Sequence, residues 1–564
     1  MRSASIYLLL LIATICLSQS QFVRTIGGNG NDFGRSITQT FEGGYAITGW
    51  TGSYGSGTHN ALLVRLKPST ELQWARVVSG AGDDFSYSIV QATDSGYVIT
   101  GCTNSYGAGD YDYLLVKFSE SGSLEWARVI GGTNGEYSLS VIQTSDNGYA
   151  LTGWTDSFGP GMPGARNILV VKVDSSGVIE WSRALSLSDY DSGHQIIQTS
   201  DGGYAIVGSS GNLYPAEYDL SFVKIDSSGE IEWTRRIDGT ERDRGYSVVQ
   251  DCDSGFVVIG NSNSYSSSLD TDDILLLKIS SSGELEWART LGSTGYEMCE
   301  RFISTIDSGF VAVGVTTGFG SSNFTLIVLK LNSIGEVEWS RIFGIDDNRE
   351  WGFSVVQMPD SGYVVTGESD NLDTSSTRAD LFLARMDSDG NCCMGTFVTL
   401  TETIVSPSVI IPYSSISSPI LTESAIAPTI IGISPTVLEI CTENIFERQA
   451  KPNVFELFTW PNPFNSAVTI SVGAIHELPL QIEIFDINGR RVTELPRLAP
   501  LGTPSLAKGN SPLKRRVTPA LASAGTATGC VFIWQPKASL GSGVYLVRAK
   551  FDNQTATKRV VYLK

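Results

Sequence analysis

Histidine is almost missing from this chain of 564 residues, which carries only His59, His194 and His476. A zinc or iron centre built on imidazole and a Ser-His-Asp arrangement both lose their commonest component. Cysteine does not replace it. After Cys16 there are seven (Cys102, Cys252, Cys299, Cys392, Cys393, Cys441 and Cys530), an odd and scattered set without CxxC pairs or a disulfide framework. Positive charge is short too: 39 Lys and Arg stand against 59 Asp and Glu, a formal net charge of −20. That balance argues against nucleic acid as a partner, because phosphate backbones are bound by clustered cations. After the first twenty residues there is also no apolar run of the roughly 20 residues that a membrane-crossing helix needs.

Those first twenty residues, "MRSASIYLLLLIATICLSQS", run from Arg2 through an apolar stretch to small residues. They read as a secretory signal peptide spanning residues 1–20.

What is present in abundance is repetition. The stretch "SDGGYAIVG" recurs seven times with its aromatic at Tyr45, Tyr97, Tyr149, Tyr204, Phe256, Phe310 and Tyr363, about 52 to 55 residues apart. Its glycines lie between two strand-like runs with no helical pattern following, which makes them a hairpin turn rather than a phosphate cradle. Each unit divides into four short runs, as in "GYSVVQD", "FVVIGN", "ILLLKIS" and "ELEWART". Four strands per unit and seven units predict an all-β, seven-bladed β-propeller over 21–397, with a solenoid as the rival. A Trp marks the fourth strand at 74, 126, 181, 233, 287 and 339. The seventh copy lacks it, while "QFVRTIGG" at the start offers Phe22 in that place. Residues 22–28 are therefore expected to complete the last blade, beside or instead of 391–396.

An acid lies seven residues before each unit's Gln or its equivalent: Asp32, Asp84, Glu136, Asp191, Asp243, Glu297 and Glu350. Such a ring can hold a cation such as calcium through oxygen ligands, or each acid can accept hydrogen bonds from nearby backbone. No other cofactor is expected. Asn60, Asp112, Asn167, Asp219, Asp273, Thr325 and Asp380 stand five residues before Arg65, Lys117, Lys172, Lys224, Lys278, Lys330 and Arg385. They read as turn formers followed by a solvated strand face. The second-to-third-strand loops carry Tyr54, Tyr106, Phe158, Tyr214, Tyr265 and Phe319, candidates for stacking on sugar rings or peptide side chains, or caps on the blades.

From 398 to 455 the repeat gives way to a Ser/Thr/Pro/Ile-rich linker or extended stalk. Residues 456–564 then read as strands interrupted by an insertion at about 496–530. "PNPFN" (Pro461, Asn462, Pro463, Phe464, Asn465), "IFDINGRRV" with Gly489, "SGVYLVR" with Gly543 and Tyr545, and "KRVVYLK" from Lys558 to Lys564 carry a resemblance. This region resembles the C-terminal sorting domain of the bacterial type IX secretion system, a small immunoglobulin-like sandwich. The resemblance implies contact with the secretion machinery and a secreted or cell-surface location. The repeats resemble propellers of uncharacterised bacterial secreted proteins, which supports the fold and supplies no activity. Adjacent Cys392 and Cys393 resemble the vicinal pair of some quinoprotein propeller dehydrogenases.

The leading expectation is a binding scaffold for a carbohydrate or protein, more a binder than an enzyme. An extracellular lyase, hydrolase or quinoprotein, or a structural surface-layer component, is the alternative. Residues that break the repeat's symmetry, His194, Arg242, Arg244 and Arg301, are the enzyme reading's candidates.

Overall fold

The computed structural model describes residues 21–392, except 161–163, 213–216, 267–270, 320–322, 345–348 and 371–377, and from 395 onward residue 490 and the strands named below. The expected signal peptide lies outside the described residues. Twenty-eight strands between Gln21 and Met386 make seven antiparallel sheets in series, and no helix occurs among the described residues. The first strands of the sheets are Asp32–Gln39, Asp84–Gln91, Glu136–Gln143, Tyr190–Gln198, Asp243–Gln250, Glu297–Ser304 and Glu350–Gln357. Six sheets take four consecutive strands. The seventh takes its fourth from the beginning of the chain, where Gln21–Gly27 pairs with Ala379–Met386 and sets Phe22 opposite Arg385.

Second and third strands such as Tyr97–Thr103 and Asp112–Phe118 are buried at every position. Near-continuous apolar runs of this kind serve strands covered on both faces, and here neighbouring sheets do the covering. Trp126 lies against Gly177 and Trp339 against Gly390, each a positive-φ turn glycine of the following sheet. The Gln ending a first strand clamps the preceding sheet: Gln143 Oε1 accepts from Thr93 N at 2.9 Å and Gln198 Oε1 from Ser145 N at 2.8 Å. Each first strand touches the first strand before and after it, and Glu350–Gln357 touches Asp32–Gln39. Across that last junction Ile37 N donates to Ser354 Oγ at 3.3 Å, and Arg385 Nη1 donates to Tyr45 Oη at 3.2 Å.

The cations of the third strands do not form a solvated face. Arg65, Lys117, Lys172, Lys224, Lys278, Lys330 and Arg385 are all at most 5% exposed. Each reaches back to an acid of the repeated turn, as in Lys224 to Asp201 at 3.0 Å and Lys330 to Asp307 at 2.9 Å. A strand buried on both faces leaves a long cationic side chain nowhere to go but along the sheet to its end.

Residues read from sequence as a linker run along the sheets' outer edges. Gly395–Phe397, Thr401–Val405, Ser408–Ile410, Ser415–Ser417, Thr422–Ala425, Thr429–Ile433 and Thr436–Glu443 each add a fifth antiparallel strand. They visit the sixth, fifth, fourth, third, second, first and seventh sheets in that order. Pro407, Pro412, Pro419, Pro428 and Pro435 fall between these strands, where a missing N–H costs no ladder bond.

In the C-terminal region Leu457–Trp460, Val468–Val472 and Cys530–Trp534 form one sheet, and Arg491–Glu494, Leu480–Asp486, Gly543–Phe551 and Gln554–Tyr562 a second. The strand after the insertion thus still finds its partner in Val468–Val472.

Candidate functional site

Every acid of the repeated row begins, or nearly begins, a first strand, and all seven are buried. Each has at least one oxygen occupied locally, while Asp191 Oδ1 and Asp243 Oδ1 are buried without a hydrogen-bond partner. Asp32 accepts from Gly28 N at 2.8 Å, Ser53 Oγ at 2.6 Å and Thr51 Oγ1; Glu136 accepts from Gly132 N at 2.7 Å and Thr155 Oγ1 at 2.8 Å. Asp191 takes Leu187 N and Ser188 N, and Glu297 takes Ser293 N and Thr316 Oγ1. Asp84, Asp243 and Glu350 accept from Ser105, Ser264 and Ser369 Oγ. Asp32, Asp84, Glu136 and Glu297 thereby tie the crossover into their sheets to the end of the second strand. No cluster of three or more potential metal ligands occurs among the described residues.

Burial pushes Asp191 up to about 7, despite hydrogen bonds from Leu187 N and Ser188 N, and in the same way lifts Asp243 to about 6. Unfolded carboxylates titrate near 4. Between about pH 4 and 7 the folded chain therefore holds the extra protons, and stability falls as pH rises through that window. Thermal unfolding should show a higher midpoint at pH 5 than at pH 8, with Asp191→Asn shrinking the difference. A midpoint that climbs from pH 5 to 8 would contradict this account.

Three residues after each acid the pairing register shifts in every sheet. The bulged residues are Arg35, Tyr87, Leu139, His194, Tyr246, Glu300 and Phe353, and no two neighbours share chemistry. Opposite each bulge stands the glycine that ends the repeated motif. A Cβ at Gly208 would fall on Ser192 O, and one at Gly260 on Arg244 O. That glycine recurs because the bulge needs its space.

Among the bulged side chains, Arg35 stacks 3.8 Å from the Phe353 ring centre, and His194 stacks on Tyr246 at 5.1 Å. His194 Nδ1–H donates to Gly245 O at 2.7 Å, and burial brings its pKa down to about 4, so the ring is neutral near pH 7. Burial pushes Glu300 up, with the Arg35 charge opposing it.

Toward the acid-bearing end of the sheets, rings and guanidinium groups make a crown. Trp50 stacks on Phe33 at 3.5 Å and meets His59 and Phe85; Tyr111 meets Tyr137, which stacks on Trp154 at 4.3 Å. Arg166 lies between Trp154 and Tyr190, 3.4 and 4.3 Å from their centres. Tyr190 meets Tyr218, Arg244 lies over Tyr218, and Tyr296, Phe324, Trp351 and Phe353 carry the series back to Arg35. Apart from buried Phe33 and Phe353, these residues are partly open to solvent. Aromatic faces backed by cations offer both stacking and charge.

The paired rung at this level reads Phe33 with Trp50 and Tyr137 with Trp154, but Ser192 with Ser209 in the fourth sheet and Arg244 with Asn261 in the fifth. In the fifth sheet, beside the crossover into the sixth, a cavity of about 90 Å³ opens, lined by Arg242, Arg244, Asn261, Asp272 and Tyr296.

Of the loop aromatics, Tyr54, Tyr106 and Phe158 lie against Gly28, Gly80 and Gly132 in the crossovers. The hydroxyls of Tyr54 and Tyr106 donate to Gly27 O and Ser79 O at 3.3 and 2.7 Å. Tyr265 is half-buried, Phe319 is 37% exposed, and Tyr214 lies outside the described residues. Among the symmetry breakers, Arg242 and Arg244 share the cavity and His194 joins them through Tyr246, which hydrogen-bonds Arg244. Arg301 occupies the next position after the bulge, where five of the other six copies have Ser; burial brings its pKa down to about 10. Buried Cys392 lies 3.9 Å from Phe22 O, and Cys393 lies outside the described residues. Sequence reasoning missed the crown, although the changing residue directly after each acid was its signal.

In the C-terminal region, Gly543 pairs with Tyr562, Lys558 with Val547, and Tyr545 is buried. Pro461, Asn462, Pro463, Phe464, Asn465, Gly489 and Lys564 lie outside the described residues. Residues 459–498 match the secretion system C-terminal sorting domain. The protein is secreted, extracellular or attached to the cell surface, and its sorting domain implies interaction with the secretion machinery. No helix among the described residues is long and apolar enough to cross a membrane. The regulatory protein FlaEY of Caulobacter vibrioides is 26% identical over 191 residues, 31% of this chain and 20% of that protein. This chain thus spans about a fifth of that relative's length.

Proposed function

We propose that the seven sheets close into a β-propeller that binds a carbohydrate or a protein on its crown, outside the cell that exports it. Closure is supported by the seventh sheet's fourth strand coming from Gln21–Gly27 and by the contact between Asp32–Gln39 and Glu350–Gln357. The observation that carries the binding role is the crown itself. The residue after each acid reads Phe33, Phe85, Tyr137, Ser192, Arg244, Met298 and Trp351; a scaffold repeated seven times for stability has no structural need of that variation, whereas a ligand that is not sevenfold symmetric does.

Glycan arrays and pull-downs with the purified chain test this. Trp154→Ala should weaken a ligand found that way by about 2 kcal/mol, roughly thirtyfold in Kd, as central aromatic anchors do. Absence of any ligand across broad screens, or full affinity in Trp154→Ala, would overturn the reading.

A further inference from the structure

The cavity where the fifth sheet meets the crossover into the sixth differs in kind from the rest of the crown. In the first and third sheets the rung is filled by stacked rings, and in the second, sixth and seventh it pairs Phe85 with Cys102, Met298 with Val315 and Trp351 with Glu368. Here the rung is Arg244 with Asn261, a cation and an amide that both line the cavity. Two guanidinium groups, Arg242 and Arg244, face one carboxylate, Asp272, across about 90 Å³. The Tyr296 hydroxyl is engaged with Asp272. Glu300, another acid within range of Arg244, is already faced by Arg35.

Asn261 supplies an independent observation. It is only 3% exposed, its Oδ1 accepts from Cys299 N at 3.1 Å, and its Nδ2 has no partner. A buried amide N–H group left unsatisfied at a cavity wall is costly unless something arrives to accept from it. An acceptor placed there would also meet the guanidinium of Arg244. That guanidinium is held in place over the Tyr218 ring at 5.3 Å and by its hydrogen bond to Tyr246. The donors are numerous, fixed and net positive, and the space takes a small planar anion rather than a whole sugar ring. A guanidinium fork matches the two oxygens of a carboxylate. Tyr296 lines the cavity on one side, and on the other Tyr218 carries Arg244 and meets Tyr190.

We propose that this notch is a subsite for the carboxylate of an acidic sugar, a uronate unit, whose ring rests on the flanking tyrosines. The inference rests on the carbohydrate-binding reading of the crown and narrows it to an acidic glycan.

The test uses the full chain with oligogalacturonate, its methyl-esterified form and a sulfated galactan, by calorimetry in matched salt. Oligogalacturonate should bind at least about tenfold more tightly than the ester, and Arg244→Gln should remove that preference, as loss of a charged hydrogen bond does. Asn261→Asp keeps the acceptor for Cys299 N and puts a negative charge on the wall. It should lose the same preference while keeping the folded circular-dichroism spectrum of the parent chain. Equal binding of acid and ester, or tighter binding of the sulfated chain, overturns the notch while leaving the crown reading intact. Failure of all three glycans together with a neutral ligand found on arrays overturns the notch alone. Failure of every glycan and protein tried overturns both.

Discussion

Gly260→Ala should destabilise the protein by about 3 kcal/mol or more and disturb Arg244 at the same time. The new methyl would sit on Arg244 O and against Gly245 Cα, both backbone atoms of the bulged first strand. Backbone cannot rotate aside as a side chain can, so relief requires flattening the bulge, which is overpacking at its most expensive. Gly202 provides the contrast. Its φ is +88° and nothing lies within 4 Å of an added Cβ, so Gly202→Ala should cost only the left-handed backbone penalty, about 1 kcal/mol. Urea or thermal unfolding of the two variants separates the roles of the motif's glycines: the first shapes a turn, the last admits a bulge. Equal, mild effects would mean that the bulges relax freely.

The second large effect belongs to the belt of fifth strands. A chain ending at residue 394 should be less stable by several kcal/mol than one ending at 443, given about 1 kcal/mol for each net backbone hydrogen bond lost. It should also self-associate. Without the belt, fourth strands such as Leu72–Ser79 and Leu124–Gly131 become open edges, and uncovered edges template pairing with other chains. Light scattering and thermal unfolding of the two chains decide the matter. Identical melting and a strictly monomeric shorter chain would show that the belt contributes nothing.

The belt also marks where sequence reasoning ended. The repeated units were legible because each carries its own period-2 runs, turn residues and marker Trp, and Phe22 betrayed the displaced fourth strand by standing where a Trp belongs. Pieces such as Ser408–Ile410 or Ser415–Ser417 have no such local signal, since their pairing is dictated by an edge more than 150 residues away in sequence. The third-strand cations were misread for a related reason. "DILLLKI" contains a Lys among apolar residues, and only burial of both faces by neighbouring sheets sends Lys278 to Asp251 and Asp253 at 2.8 Å. In the acid row, regularity marked a structural tie; in the residues beside the acids, its failure marked the candidate site. His194 and Arg244 were visible as departures from the repeat, but their meeting through Tyr246 needed the fold.

The order in which the belt visits the sheets has a mechanical consequence. Its last strand, Thr436–Glu443, joins the seventh sheet by pairing with Gln21–Gly27, and the sorting domain follows it in the chain. If the C-terminal end is held at a cell surface, tension enters at the Gln21–Glu443 pair and peels that strand before reaching Thr429–Ile433 on the first sheet and Thr422–Ala425 on the second. The load is met by one short strand at a time, in steps, with the four-stranded sheets behind it still intact. Pulled from its C-terminal end in single-molecule experiments, the protein should lengthen in a staircase of small releases at low force before any sheet unfolds, acting as a compliant tether.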